Sequence, residues 1–92
     1  MDRKNFDNLI VHLLAIVNYA KDIHYNCSGP NFYSDHLLAD RFTGDIYEYI
    51  DQLKEICLLG HNFKPLHSSE YLVQASALIP AGADFKAMST LM

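Results

Sequence analysis

A helix breaker set between two long stretches of helical periodicity constrains this chain more than any other feature. Ser28-Gly29-Pro30 separates segments whose apolar residues recur at three- and four-residue steps, and glycine and proline end helices through backbone geometry, whatever the polarity around them. Upstream, Phe6, Leu9, Leu13, Ile16, Ala20 and Ile23 form one apolar stripe. A second set at Ile10, Val11, Leu14 and Val17 widens it, so the first helix is expected to face two neighbours. Downstream, Leu38, Phe42, Ile46, Tyr49, Leu53 and Ile56 form the stripe of a second helix. The expected fold is all-α and a single domain, with helices over residues 7–27 and 34–59 joined by a hairpin loop at 28–33. A loop and short helix over 60–78 and a C-terminal tail over 79–92 follow. Asn5 and Asp7 read as N-caps of the first helix and Ser34 as the N-cap of the second, with Gly60 at its C′ position. Gly44, in mid-helix, costs about 1 kcal/mol against alanine, which points to a close approach by a partner.

The chemistry-bearing residues follow from that hairpin. His24 and His36 lie six residues before and six after Pro30, so antiparallel helices bring both imidazoles to one level, where they can share a cation. On the second helix His36, Asp40, Gly44, Glu48, Asp51 and Glu55 recur at steps of three and four and occupy one face. Asp51 is 15 residues beyond His36, or roughly 22 Å along a helix axis, too far to hold the same ion. If the two groups cooperate, the histidines of one chain face Asp51 and Glu55 of a second chain across a two-fold axis. Taken alone, Asp51 with Glu55 reads as a solvated helix face and His36 as a surface or capping residue; with His24 in register, the metal-site reading is favoured. Carboxylate and imidazole donors suit Fe(II), with Zn(II), Mn(II) or Co(II) able to take its place. Glu48 shares the face without being an expected ligand, while His12, His61 and His67 read as solvated. Packing is the expected role of Tyr25, Tyr47 and Tyr49, radical trapping the alternative. No catalytic group separate from the metal ligands is expected.

The run His24-Tyr25-Asn26-Cys27-Ser28-Gly29-Pro30-Asn31-Phe32, followed by His36, Asp40, Asp51 and Glu55, resembles the ferroxidase signature of the Dps-type miniferritins, the starvation-induced DNA-protecting proteins of bacteria. The resemblance extends roughly from Leu9 to Ser76 and corresponds to the N-terminal half of a family subunit. It implies a ferritin-like hairpin that pairs between chains into a four-helix bundle. It also implies an inter-subunit iron site, with His24, His36 and Asp40 from one chain opposite Asp51 and Glu55 of the symmetry mate. Tyr25 stands where the family usually has tryptophan, and Lys54 and Ile56 flank Glu55 where a small residue and an arginine are usual. Family subunits are close to twice this length and form hollow dodecamers, so cage formation and iron storage are not implied. The sequence is expected to be either a fragment or a natural half-length protein.

Composition limits the partners. A helix pair with a short tail is a poor size for a self-sufficient core, yet half of the 92 residues are hydrophobic, with six Tyr and five Phe. Homo-oligomerisation with a dimeric unit is the expected outlet. A formal net charge of −4 lacks the basic footprint of a nucleic-acid binder, so DNA binding is disfavoured. The longest apolar run, Leu13 to Val17, is too short to span a bilayer. Cys27 and Cys57, without close spacing or a secretory signal, read as reduced thiols of a cytoplasmic protein. The expected function is a Dps-like iron-binding protein that oxidises Fe(II) and protects against iron and peroxide stress. The alternative is a non-enzymatic helical oligomerisation module whose metal face is vestigial or structural.

Overall fold

In the computed structural model, which describes residues 2–26, 29–60 and 64–80, all regular structure is helical: α1 (Arg3–Asn26), α2 (Phe32–Gly60) and α3 (Ser68–Ser76), with no strand among the described residues. Cys27, Ser28, His61 and the segment 81–92, on which some sequence readings fall, lie outside the described residues.

α1 starts at Arg3 rather than at Asp7. The Asn5 backbone N–H donates to Asp2 Oδ1 at 2.8 Å, and its side-chain Nδ2 donates to Asp2 Oδ2 at 3.3 Å. Asp2 is therefore the N-cap, satisfying a backbone donor that has no partner within the helix. The chain reverses at Gly29, whose φ of 92° is left-handed and favours a residue without Cβ. Pro30 follows where its fixed φ suits a turn, which Phe32 N–H closes on Gly29 O at 3.1 Å. α2 then begins two residues before Ser34. The Ser34 hydroxyl donates to Asn31 O at 3.1 Å instead of accepting a backbone N–H, so it is not the expected cap. At the other end α2 runs through Gly60 without positive φ, and the left-handed C′ reading of that glycine is corrected.

Burial decides which faces meet. α1 buries Phe6, Ile10, Val11, Leu14, Ala15, Ile16, Val17, Tyr19, Ala20 and Ile23, a band wide enough to pack on both α2 and α3. Five of these ten are β-branched, and each loses some side-chain freedom in a helix; removal of their surface from water offsets that loss. α2 buries Ala39, Thr43, Ile50 and Cys57, with Phe42, Ile46 and Leu53 partly covered beside them. Three members of its expected stripe, Leu38, Tyr49 and Ile56, are instead half-exposed or more. Small Ala39 packs beside bulky Tyr19 and Ile23, where a leucine would overfill the space. Thr43 loses no hydrogen bond on burial, because its hydroxyl donates to Ala39 O at 2.9 Å.

Tyr71 joins the elements. Its ring is fully buried, its hydroxyl donates to Asp7 Oδ1 on α1 at 2.7 Å, and it accepts from Leu66 N–H at 2.9 Å. Lys54 Nζ of α2 sits 5.4 Å from the ring centre, within the range of a cation–π contact. Burial, and then the hydrogen bond to Asp7, push the phenol from 10.0 up to about 12. The folded state therefore holds the proton more tightly than the unfolded chain. This contribution to stability is complete below pH 10 and is lost as pH rises towards about 12. Tyr71→Phe strands the Leu66 N–H and is expected to cost about 1–3 kcal/mol, read as a lower urea midpoint at neutral pH. The same variant should narrow the difference from wild type as pH climbs from 10 to about 12.

Candidate metal site at the hairpin end

Helix reversal at Gly29 brings His24, in the last turn of α1, against His36, in the second turn of α2. The rings stack with centroids 3.9 Å apart and planes 19° from parallel. His24 Nδ1 lies 3.0 Å from His36 O, and His36 Nδ1 lies 2.7 Å from His24 O. A carbonyl oxygen only accepts, so each Nδ1 carries a proton and donates, and in the neutral imidazole each Nε2 then keeps a free lone pair. A metal-binding imidazole needs this arrangement: one nitrogen anchored by a backbone carbonyl, the other free to ligate. The bond from His36 also satisfies a carbonyl in the last turn of α1, one of the groups a helix end leaves unpaired. Tyr25 and Phe32 extend the stack, Tyr25 edge-on to His24 at 4.9 Å and Phe32 against His36 at 5.6 Å.

The stacking corrects the reading that both imidazoles share one cation. Each Nε2 lone pair lies in its own ring plane, and planes 3.9 Å apart with a 19° tilt converge only on the order of 10 Å away, against a metal–nitrogen bond of about 2.1 Å. One ion therefore cannot take both lone pairs.

Asp40, one turn beyond His36, is largely exposed, and its Oδ1 lies 3.9 Å from Lys21 Nζ. The Lys21 ammonium also stands 5.9 Å from the Tyr25 ring centre. The sequence reading missed Lys21 as a member of this cluster; its signal was its position one turn before His24 and Tyr25 on α1, the face that meets Asp40. Asp51 and Glu55 occupy the distant half of the same uninterrupted α2. Asp51 borders a groove of about 510 Å³ that also involves Leu14, Tyr47, Lys54 and Leu72, while Glu55 borders a shallower one with Ile56 and Leu59. Lys54, expected beside these acids, turns to Tyr71 instead. Neither Asp51 nor Glu55 forms an ion pair among the described residues. Nor do three or more His, Cys, Asp or Glu side chains gather to hold a metal among the described residues of one chain. His24 and His36 thus meet at the hairpin end, Asp40 stands one turn further along α2 against Lys21, and Asp51 with Glu55 lie far from all three.

Elsewhere, His12 Nδ1 donates to Asn8 O at 2.8 Å on an exposed turn, and His67 stands exposed ahead of α3. Cys57 is a buried free thiol. No helix among the described residues is long and apolar enough to cross a membrane. Compared with known proteins, the chain matches no family model, no curated protein and no solved structure.

The two roles of the histidines, closing the hairpin through Nδ1 and offering Nε2, separate by substitution. An asparagine amide can place a donor near the Nδ1 position but has nothing at Nε2. His36→Asn is expected to keep the wild-type urea midpoint within about 0.5 kcal/mol, while His36→Ala loses about 1–2 kcal/mol because the His24 carbonyl goes unpaired. Equal destabilisation by both variants would show that the Nδ1 bond does not hold the hairpin.

Proposed function

We propose that the chain is a ferritin-like, Dps-type iron protein in which two copies pair their hairpins into a four-helix bundle and complete an Fe(II)-oxidising site between them. The observation that carries this reading is the reciprocal histidine pair, which fixes the tautomer of both rings and leaves both Nε2 atoms as donors. His24, His36 and Asp40 form one half of the site; Asp51 and Glu55 of the second copy form the other. Each half alone has too few donors for tight binding. Fe(II) is the substrate, with Zn(II) or Mn(II) able to occupy the same donors. Carboxylates favour Fe(III) over Fe(II) by charge, so the site promotes loss of one electron from each of two irons. With hydrogen peroxide as oxidant, two electrons and two protons convert it to two waters. Lys21 holds Asp40 in the absence of metal and must give it up on loading. The low basic content stands against a DNA partner, and a cytoplasmic location suits a protein that removes iron and peroxide there.

A second reading has its own support. The histidine bonds already close the hairpin and Lys21 already neutralises Asp40, as a purely structural assembly module would require. Iron-dependent peroxide or dioxygen consumption separates the two readings.

Fe(II) or Zn(II) binds only the assembled state and should therefore raise the melting temperature and favour dimer over monomer. His36→Asn and Asp51→Asn are each expected to abolish that rise, and mixing them should restore one intact site per heterodimer. Heterodimers that form but recover neither metal-dependent stabilisation nor iron oxidation would exclude the split site.

A further inference from the structure

We infer that α2 crosses its symmetry mate in antiparallel fashion at Gly44, the point where the two-fold axis passes; this rests on the split-site reading above. A two-fold axis that sets His36 of one copy against Asp51 of the other must pass midway between them, at Thr43 and Gly44. Thr43 faces α1 and is buried, whereas Gly44 faces outward and is exposed. The crossing residue is therefore the glycine.

Gly44 is otherwise hard to account for. It sits inside a 29-residue helix, where glycine is destabilising by about 1 kcal/mol relative to alanine. Its φ is not positive, and a Cβ added there would meet nothing within 4 Å of its own chain. Neither backbone conformation nor internal packing calls for a glycine. Close approach of a second helix does, because helix axes normally 8–10 Å apart come nearer where no side chain intervenes.

The surrounding face fits a copy of itself. On the outward row of α2, Tyr33, Leu37 and Tyr47 are all exposed, and they provide apolar surface on both sides of Gly44. Asp40 and Glu48 stand four residues either side of Gly44, so the crossing brings Asp40 of each copy near Glu48 of the other. That like-charge approach calls for a cation, which Lys21 supplies beside Asp40 at 3.9 Å. The competing exposed flank, Leu38, Tyr49 and Ile56, carries no such complement to the histidine cluster.

Only a residue next to a two-fold axis can form a disulfide with its own copy, since the Cα atoms must come within about 7 Å. The test places a single cysteine in the full chain, with Cys27→Ser and Cys57→Ala removing the native thiols, and uses oxidised glutathione without metal. Gly44→Cys is expected to give a covalent dimer for most of the chain, while Tyr49→Cys and Ile56→Cys stay monomeric on a non-reducing gel. Gly44→Leu, which improves helix propensity, should raise the dimer dissociation constant about tenfold or more through overpacking. Cross-linking at Tyr49→Cys or Ile56→Cys but not at Gly44→Cys, or at none of the three, overturns the crossing. Metal-dependent stabilisation without the Gly44→Cys dimer would leave the iron reading standing and remove this one; the cross-link without metal-dependent stabilisation would do the reverse.

Discussion

The reciprocal hydrogen bonds between His24 and His36 set the register of this molecule. Each ring nitrogen donates to the opposite helix's backbone at 3.0 and 2.7 Å, so sliding α1 along α2 by one residue would break both bonds together. With that register held, Ile23 and Tyr19 meet Ala39 near the turn, and Leu14 and Phe6 share a core with Ile50 and Cys57 further along. The left-handed Gly29 makes the reversal short enough for the two rings to stack. The tautomer that closes the hairpin is also the one that frees Nε2, so the proposed metal chemistry would use the same two rings that hold the fold.

This dual use has a consequence for stability and ligand orientation. In many metal sites a histidine is oriented by a carboxylate or a backbone carbonyl in its surroundings; here each histidine is oriented by the other's backbone. Binding at Nε2 draws charge from the ring and strengthens the Nδ1–H bond, so occupancy should tighten the hairpin as well as any contact between copies. Lys21 stands 3.9 Å from Asp40, a solvent-exposed pair that only slightly offsets the repulsion among the acids of α2.

Much of the fold was legible in sequence because its strongest signals are local. The breaker, the two helical periods and the equal spacing of His24 and His36 about Pro30 all survive in the structure, and the continuity of α2 keeps His36 and Asp51 far apart. The core face of α2 was not legible. Its apolar residues surround the helix, and counting large side chains selected Leu38, Tyr49 and Ile56, whereas packing against Tyr19 and Ile23 selects small Ala39, and Thr43 is buried with it. Volume complementarity depends on the partner helix, which a single-helix pattern does not contain. The helix starts shifted for a related reason: Asp2 caps α1 by accepting from both the backbone and the side-chain amide of Asn5, and the Ser34 hydroxyl donates to a carbonyl rather than accepting an N–H. At the candidate site the Lys21–Asp40 pair depended on the rotation of α1, which only the packed structure fixes.

In the split site proposed above, ligands from two chains would meet at the histidine pair. Crystals grown without chelator, loaded anaerobically with Fe(II) and measured on either side of the iron absorption edge, test it most directly. Anomalous peaks are expected about 2.1 Å from Nε2 of His24 or His36 of one chain, with the remaining ligands drawn from Asp51 and Glu55 of another. Peaks away from both imidazoles, or with every protein ligand from a single chain, would contradict it.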